Sequence, residues 1–274
     1  MASARISTNF SSFIGSFFPQ EEKAIKMHTT THIFQKRDVI LQGTNCINTK
    51  VLQMSRIAEN IQRITEQLPK NTQLIVVSKY REIEEIEKAY QAGQRIFAEN
   101  RVQALLERKD QLPADIHWHL IGHLQSNKVK YIAPFIEMIH SVDSMKLLIE
   151  INRQAALNAR IIKVLIQLHV AQEESKFGIP PDQLTQFWLE YQSQKETLKN
   201  IQICGLMGMA SLTDDQDQIT KEYSRMNQLY QESKSTYFKD SPDFCELSIG
   251  MSGDYKIAIK NGSTFVRVGT AVFV

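Results

Sequence analysis

A primary amine ends a short apolar run, Leu74-Ile75-Val76-Val77-Ser78-Lys79. Near the C-terminus a glycine-rich turn, Ser248-Ile249-Gly250-Met251-Ser252-Gly253, precedes an apolar run with an arginine inside it, Thr264-Phe265-Val266-Arg267-Val268-Gly269-Thr270. The three groups have complementary chemistry. An amine condenses with a carbonyl, backbone N–H groups of a glycine turn cradle an anion, and a guanidinium seeks a hydrogen-bond acceptor. Brought to one mouth, they would suit a phosphorylated aldehyde.

Each group also has a plainer reading. Lys79 taken alone is a solvated lysine opening a loop. Strand alternation, however, puts Ile75, Val77 and Lys79 on one face and Leu74, Val76 and Ser78 on the other. If the first set faces a barrel axis, the amine emerges at the mouth, where Arg267 would be a cationic neighbour. A glycine-rich turn is a common connector. Ser252 and Thr270 add hydroxyl donors to this one, in the place where barrels usually bind phosphate. Arg267 shares a face with Phe265 and Gly269, and a buried guanidinium must be paired. Two partners stay open: a structural carboxylate such as Glu99 or Asp143, or a ligand acceptor.

These groups meet only if the elements between them bend the chain into a ring. From Met54 onward the pattern is orderly. Ile57, Ile61, Ile64 and Leu68 form a helical stripe ended by Pro69. Short apolar runs follow at Leu74–Ser78, Arg95–Ala98, Ile116–Ile121, Met138–Val142, Ile162–Val170, Ile203–Met207, Cys245–Ile249 and Thr264–Phe273, most of them followed by a helical stretch. Eight runs alternating with helices predict βα units and a parallel sheet, and that number closes a (β/α)8 barrel. An open doubly wound sheet is the rival. Compact early spacing and the absence of Gly-x-Gly-x-x-Gly after the first run favour the barrel. With Val274 as the last residue there is no room for an eighth helix, so the helix Met54–Leu68 is expected to cover that gap.

The chain has 274 residues, a formal net charge of +2 and 23% charged residues, which points away from nucleic acid as a partner. Three cysteines, widely spaced and odd in number, fit neither a disulfide framework nor a zinc cluster and suit a reducing compartment. No apolar run reaches a membrane span of roughly 18 residues. A cytoplasmic location is expected. Residues 1–53 read as a leader, disordered or non-native. Ser3, Ser7, Ser11, Ser12 and Ser16 lie among Phe10, Phe13, Phe17 and Phe18, and Arg5 is the sole basic residue before Lys23, which is weak for a transit peptide.

The run His117-Trp118-His119-Leu120-Ile121-Gly122-His123 raises the question of a metal, since His117 and His119 share a face. No ligand set of the right spacing accompanies them, so no metal is expected. Asn127 or Ser126 is a candidate cap for the helix that follows, and Asp143 for the next one.

The motif series is specific. From about Met54 to Val274 the chain resembles the pyridoxal-phosphate homeostasis proteins (the proline-synthetase co-transcribed family). The likeness runs in order through Val77-Ser78-Lys79, Ala98-Glu99-Asn100-Arg101-Val102-Gln103, Trp118-His119-Leu120-Ile121-Gly122, Leu124-Gln125-Ser126-Asn127-Lys128 and Ser141-Val142-Asp143. It continues through Lys176-Phe177-Gly178, Gly205-Leu206-Met207-Gly208-Met209, Leu247-Ser248-Ile249-Gly250-Met251-Ser252 and Val266-Arg267-Val268-Gly269-Thr270. Ala98 stands where that family usually has glycine. The family is similar to the barrel domain of alanine racemases. The resemblance implies that Lys79 joins pyridoxal 5′-phosphate as an internal aldimine. It implies further that Ser252, Gly269 and Thr270 hold the phosphate, that Arg267 lies against the pyridine nitrogen and that Asn100 sits beside the ring. Lys176 matches a family lysine implicated in cofactor handling.

Three functions follow from different classes. The first is a monomeric carrier that holds and releases pyridoxal phosphate, with apo-enzymes as recipients and no committed reaction. The second is an amino-acid racemase or decarboxylase, which needs an acid/base on each face of the cofactor. The third is a barrel enzyme for another phosphorylated metabolite, which leaves the motif series unexplained. A guanidinium at the pyridine nitrogen would keep that nitrogen unprotonated and the ring a weaker electron sink, which favours the carrier.

Overall fold

The computed structural model describes residues 56–172 and 177–274. The expected leader 1–53 and Lys176 lie outside the described residues. A helix over 56–65 (α1) comes first. After it run β1 (Gln73–Val77), α2 (Ile83–Gln91), β2 (Ile96–Glu99), α3 (Val102–Arg108), β3 (His117–Leu120), α4 (Val129–Ile132), β4 (Met138–Val142) and α5 (Met145–Leu157). The second half comprises β5 (Ile162–Gln167), α6 (Leu184–Gln194), β6 (Ile201–Met207), α7 (Gln216–Tyr237), β7 (Glu246–Met251), α8 (Tyr255–Lys260), β8 (Phe265–Val268) and α9 (Thr270–Phe273).

All neighbouring strands pair in parallel in the order β1 to β8, and β8 returns to β1 with Ile75 opposite Arg267 and Val76 opposite Val268. The sheet is a closed barrel, as the count of apolar runs predicts. Alternation sorts the side chains into two apolar layers. Leu74, Val76, Phe97, Trp118, Ile139, Val164, Leu247 and Val268 point outward and pack with the helices. Ile75, Val77, Ala98, Met138, Leu165, Cys204, Met207 and Phe265 fill the barrel axis. The methyl of Ala98 occupies axial space that a glycine would leave empty.

The helices are placed by ordinary means. Ile57, Ile61 and Ile64 bury the stripe of α1 against the outer layer, and the Asn60 amide donates to the carbonyls of Val272 and Val274, each at 3.1 Å. The expectation that there is no room for a helix after β8 is wrong by one short helix. The run read as a strand to Phe273 turns at Gly269 into α9, whose Val272 and Phe273 join the outer layer rather than extend the sheet. Capping also differs from expectation. Ser144, not Asp143, caps α5 by accepting from the Leu147 N–H, and neither Ser126 nor Asn127 gives a side-chain cap, because that segment is a 3-10 turn over Ser126–Lys128. No described helix is long and apolar enough to cross a membrane.

The barrel axis is not wholly apolar. His119 and His140 lie inside it, with His119 Nδ1 2.9 Å from His140 Nε2 and their rings also flanking Phe265. Burial pushes the His119 imidazole down to about 3 and holds His140 well below its ordinary value. Both are therefore neutral at pH 7, while an unfolded chain would protonate them below about pH 6.5. A group with a depressed folded pKa stabilises the fold above its unfolded pKa and loses that contribution as pH falls. Stability measured by urea denaturation is expected to drop from pH 7 to 5.5, with a slope approaching about 1.4 kcal/mol per pH unit for each of the two imidazoles. A flat profile in that window, or one unchanged in a folded His119→Phe variant, would contradict their neutral burial.

Candidate functional site

At the C-terminal ends of the strands a cavity of about 390 Å³ is lined by Lys79, Asn100, Gly122, Ser252, Arg267 and Thr270, with Val77, Ile121, Met209, Met251, Gly253 and Gly269 between them. Six of the residues expected to carry the site (Lys79, Asn100, Ser252, Arg267, Gly269 and Thr270) therefore meet at one mouth. A second cavity, of about 370 Å³, opens at the opposite end, among His117, His119, Glu137, Lys163 and Glu246. It has no glycine cradle and lies at the strand N-termini, the end of such barrels that conventionally serves stability rather than chemistry.

Lys79 follows β1 by two residues and is exposed to the cavity. Its loop is held from behind. The Ser78 hydroxyl donates to Glu99 Oε1 at 2.5 Å, Arg108 pairs with the same carboxylate, and Arg108 Nη2 donates to the Arg81 carbonyl at 2.7 Å. Glu99 is buried, and burial raises its pKa against the lowering effects of Ser78 and Arg108. The guanidinium of Arg81 in turn lies 4.9 Å above the Phe273 ring, joining this loop to α9. Between Lys79 and that anchor, Tyr80 takes the left-handed conformation with φ of 63°, a turn in which its ring stays in solvent.

The opposite wall is the turn after β7. Gly250 has φ of +95°, and a Cβ there would stand 2.5 Å from the Ala258 Cβ, so only glycine allows α8 to pack this closely on the turn. Asp254 organises the rest. Its Oδ1 accepts from the Met251 N–H at 2.6 Å and its Oδ2 from the Tyr223 hydroxyl at 2.9 Å. Burial pushes the Tyr223 phenol up, so it stays a neutral donor. Ser252 Oγ accepts from the Gly269 N–H at 3.2 Å, which ties the β7 and β8 turns together and leaves the Ser252 proton available for an acceptor in the cavity.

Arg267 rises from β8 into the axis, almost fully buried. Neither carboxylate suggested as its partner is there. Glu99 faces outward to Arg108, and Asp143 lies 3.3 Å from His123. Instead Nη1 donates to the Ser248 carbonyl at 2.7 Å and to Ser248 Oγ at 2.6 Å, and Nη2 donates to the Gly208 carbonyl at 3.0 Å. Burial lowers its pKa, opposed by Tyr223 and Asp254. Among the described residues no carboxylate stands at ion-pair distance, so a cation without a direct ion-pair partner lines the cavity. The reason the alternatives fail is geometric: Glu99 alternates outward one residue after the inward Ala98.

Sequence reasoning missed the supports. No motif or spacing marks Asp254 or Tyr223, while counting by twos from Met138 puts His140 on the axial face. In the sequence Gly122 stands out only as the end of the motif Trp118-His119-Leu120-Ile121-Gly122. A Cβ there would stand 2.1 Å from the Asn100 carbonyl oxygen, so the ends of β2 and β3 touch through backbone alone. No described cluster of His, Cys, Asp and Glu could hold a metal ion.

A closed parallel barrel with an amine beyond β1, a glycine–hydroxyl cradle beyond β7 and β8, and an arginine on β8 defines a class, and a family model described as the alanine racemase N-terminal domain matches residues 52–274. The chain is 36% identical over 237 residues to the pyridoxal phosphate homeostasis protein of Vibrio cholerae, covering 80% of this chain and 96% of that one. With the protein of the same name from Aquifex aeolicus the identity is 34%, over 80% and 95% of the two chains. The solved structure of PipY of Synechococcus elongatus with PLP bound superposes with a TM-score of 0.72 at 34% identity, covering 80% of this chain and 100% of that one. The chain belongs to the family of pyridoxal phosphate homeostasis proteins.

Gly122→Ala is expected to push apart the backbone ends of β2 and β3 and lower stability by about 1–3 kcal/mol, the range for overpacking a site with no side chain to yield. Urea denaturation measures it, and a variant as stable as the wild type would show that the contact has room to relax.

Proposed function

We propose that this protein binds pyridoxal 5′-phosphate at the barrel mouth and serves cofactor homeostasis by holding and releasing it, without committed turnover of amino acids. The observation that carries the reading is the convergence of Lys79, the Ser252–Gly253 and Gly269–Thr270 turns and Arg267 on one cavity. Membership of the homeostasis family and the PLP-bound relative support it. When bound, the cofactor supplies an aldehyde that condenses with amines and a ring that withdraws electrons.

The residues present fit that group. Lys79 would supply the amine to the aldehyde. Ser252 and Thr270 would donate hydroxyl protons to the phosphate, beside backbone N–H groups that the glycines leave accessible. Arg267, buried and lacking a carboxylate, would donate to the pyridine nitrogen and keep it unprotonated. Asn100 would lie beside the ring. Among the described residues lining the cavity, no carboxylate, imidazole or phenol stands opposite Lys79 to move a proton at the far face of a bound substrate. Cofactor handling by Lys176, transfer to apo PLP-dependent enzymes, a monomeric state and a cytoplasmic location complete the proposal. So does the division into a leader over 1–53 and a PLP-binding barrel over 54–274.

Borohydride reduction of the loaded protein followed by peptide mapping should place the label on Lys79, and Lys79→Ala should lose it. A folded variant that keeps an undiminished label would remove Lys79 from this role.

The carrier reading has its own measurement. Loaded protein incubated in deuterated water with single enantiomers of alanine, serine or ornithine should neither exchange the Cα proton nor lose chirality at an enzymatic rate, while passing cofactor to an apo-enzyme. Turnover at about 1 to 10³ per second would replace the carrier with a racemase.

A further inference from the structure

A single line of hydrogen bonds crosses the barrel from one cavity to the other. It starts at Arg267, which lines the mouth, passes to Ser248 at 2.6 Å, to His140 at 3.0 Å and to His119 at 2.9 Å, and ends in the N-terminal cavity that His119 lines. Every member comes from a different strand (β8, β7, β4 and β3) and every one is buried. Polar side chains at the axis of a barrel are costly unless fully connected, and this barrel could fill the same space with aliphatic residues.

The direction of the donors can be worked out link by link. A guanidinium only donates, so Ser248 Oγ accepts from Arg267. The remaining described polar neighbour of that oxygen is His140 Nδ1, and since a buried serine proton without an acceptor is costly, Nδ1 accepts it. A neutral imidazole with an accepting Nδ1 carries its proton on Nε2, so His140 Nε2 donates to His119 Nδ1, and a neutral His119 carries its own proton on Nε2. All donors point from the mouth towards the N-terminal cavity.

We propose that His140 and His119 are positioning residues for Arg267. Acting through Ser248, they hold the guanidinium at the angle from which it meets an acceptor in the mouth. This rests on the reading that Arg267 faces the cofactor ring. Neutral imidazoles are what the surroundings favour: burial is the main cause, and the cations Arg267 beside His140 and Lys163 near His119 act in the same direction. Glu137 acts against it at His119 but is itself paired with Lys163 at 2.7 Å. A charged His140 would have to lose the serine proton it accepts and would face Arg267 with like charge. The chain thus holds together only in its neutral, one-way form.

The first test needs no cofactor. In protein labelled with ¹⁵N at histidine and arginine, long-range proton–nitrogen spectra at pH 7 should show His119 and His140 both neutral with the proton on Nε2. A charged ring, or a proton on Nδ1 of either, overturns the proposal. The second test separates positioning from packing. His140→Phe keeps a ring but no nitrogen, and should shift the Arg267 guanidinium resonances and speed cofactor release about 3- to 10-fold, the effect of losing one hydrogen bond in the chain. His140→Gln, which keeps a donor and an acceptor, should release within about 2-fold of wild type. A folded His140→Phe with unchanged Arg267 resonances and release, or a Gln variant as fast as the Phe one, overturns the proposal. If His140→Phe does not fold, the wild-type tautomers decide the matter. A wild-type protein that binds no pyridoxal phosphate would sink the functional reading, and the tautomers would still be read.

Discussion

Everything at the mouth depends on the parallel pairing of β8 with β1. That pairing closes the barrel, sets Ile75 opposite Arg267, and brings the backbone near Gly269 so close to β1 that a Cβ there would lie 3.1 Å from the Val77 carbonyl oxygen. Lys79 and Arg267 are far apart in the chain, and no local interaction could make them neighbours. A closed sheet does, because the first and last strands must share an edge. Closure also removes both free sheet edges, so each strand's backbone groups are satisfied by its neighbours.

The same closure creates a problem that the interior solves in two ways. An axis surrounded by eight strands is dry, and a guanidinium placed there loses its hydration. The Gly208 and Ser248 carbonyls and the Ser248 hydroxyl take up three of its contacts without cancelling its charge. The pairing of β7 with β8 shifts register between Ser248 and Met251, and Gly250 turns the backbone in that stretch. Arg267 is level with Met251 while its guanidinium reaches back to Ser248. A cation held by carbonyls rather than carboxylates keeps its capacity to donate to a neutral acceptor.

Behind the mouth, rigidity is built from charges and aromatic contacts on the outer layer. Glu99 and Arg108 clamp the loop that carries Lys79, and Arg81 rests on Phe273 of α9. Asp254 and Tyr223 clamp the opposite turn. Glu99 ends β2 and Asp254 follows β7, and these two strands pair with β1 and β8, the strands of the closure, so Lys79 and the glycine turns are positioned relative to each other through the sheet. The side chains that touch the ligand space are then free to be exposed, as Lys79 and Thr270 are.

By itself the sequence determined the periodicity of the elements and the chemistry at their ends. Alternating apolar runs and helical stripes carry βα units in their spacing, and period two assigns Ile75, Val77 and Lys79 to one face before any partner strand is known. Lysine, hydroxyls, glycines and arginine at strand ends were legible for the same reason: they break an apolar pattern where a core residue would continue it. What the tertiary structure alone decided was pairing at long range. Whether Arg267 meets Glu99, Asp143 or the Ser248 carbonyl depends on closure, on the register shift beside Gly250 and on which face Glu99 takes. The chain of His119, His140, Ser248 and Arg267 exists only because four strands separated in sequence point these side chains at one axis. Local physics sets which way each residue faces, and the closed sheet sets what it faces.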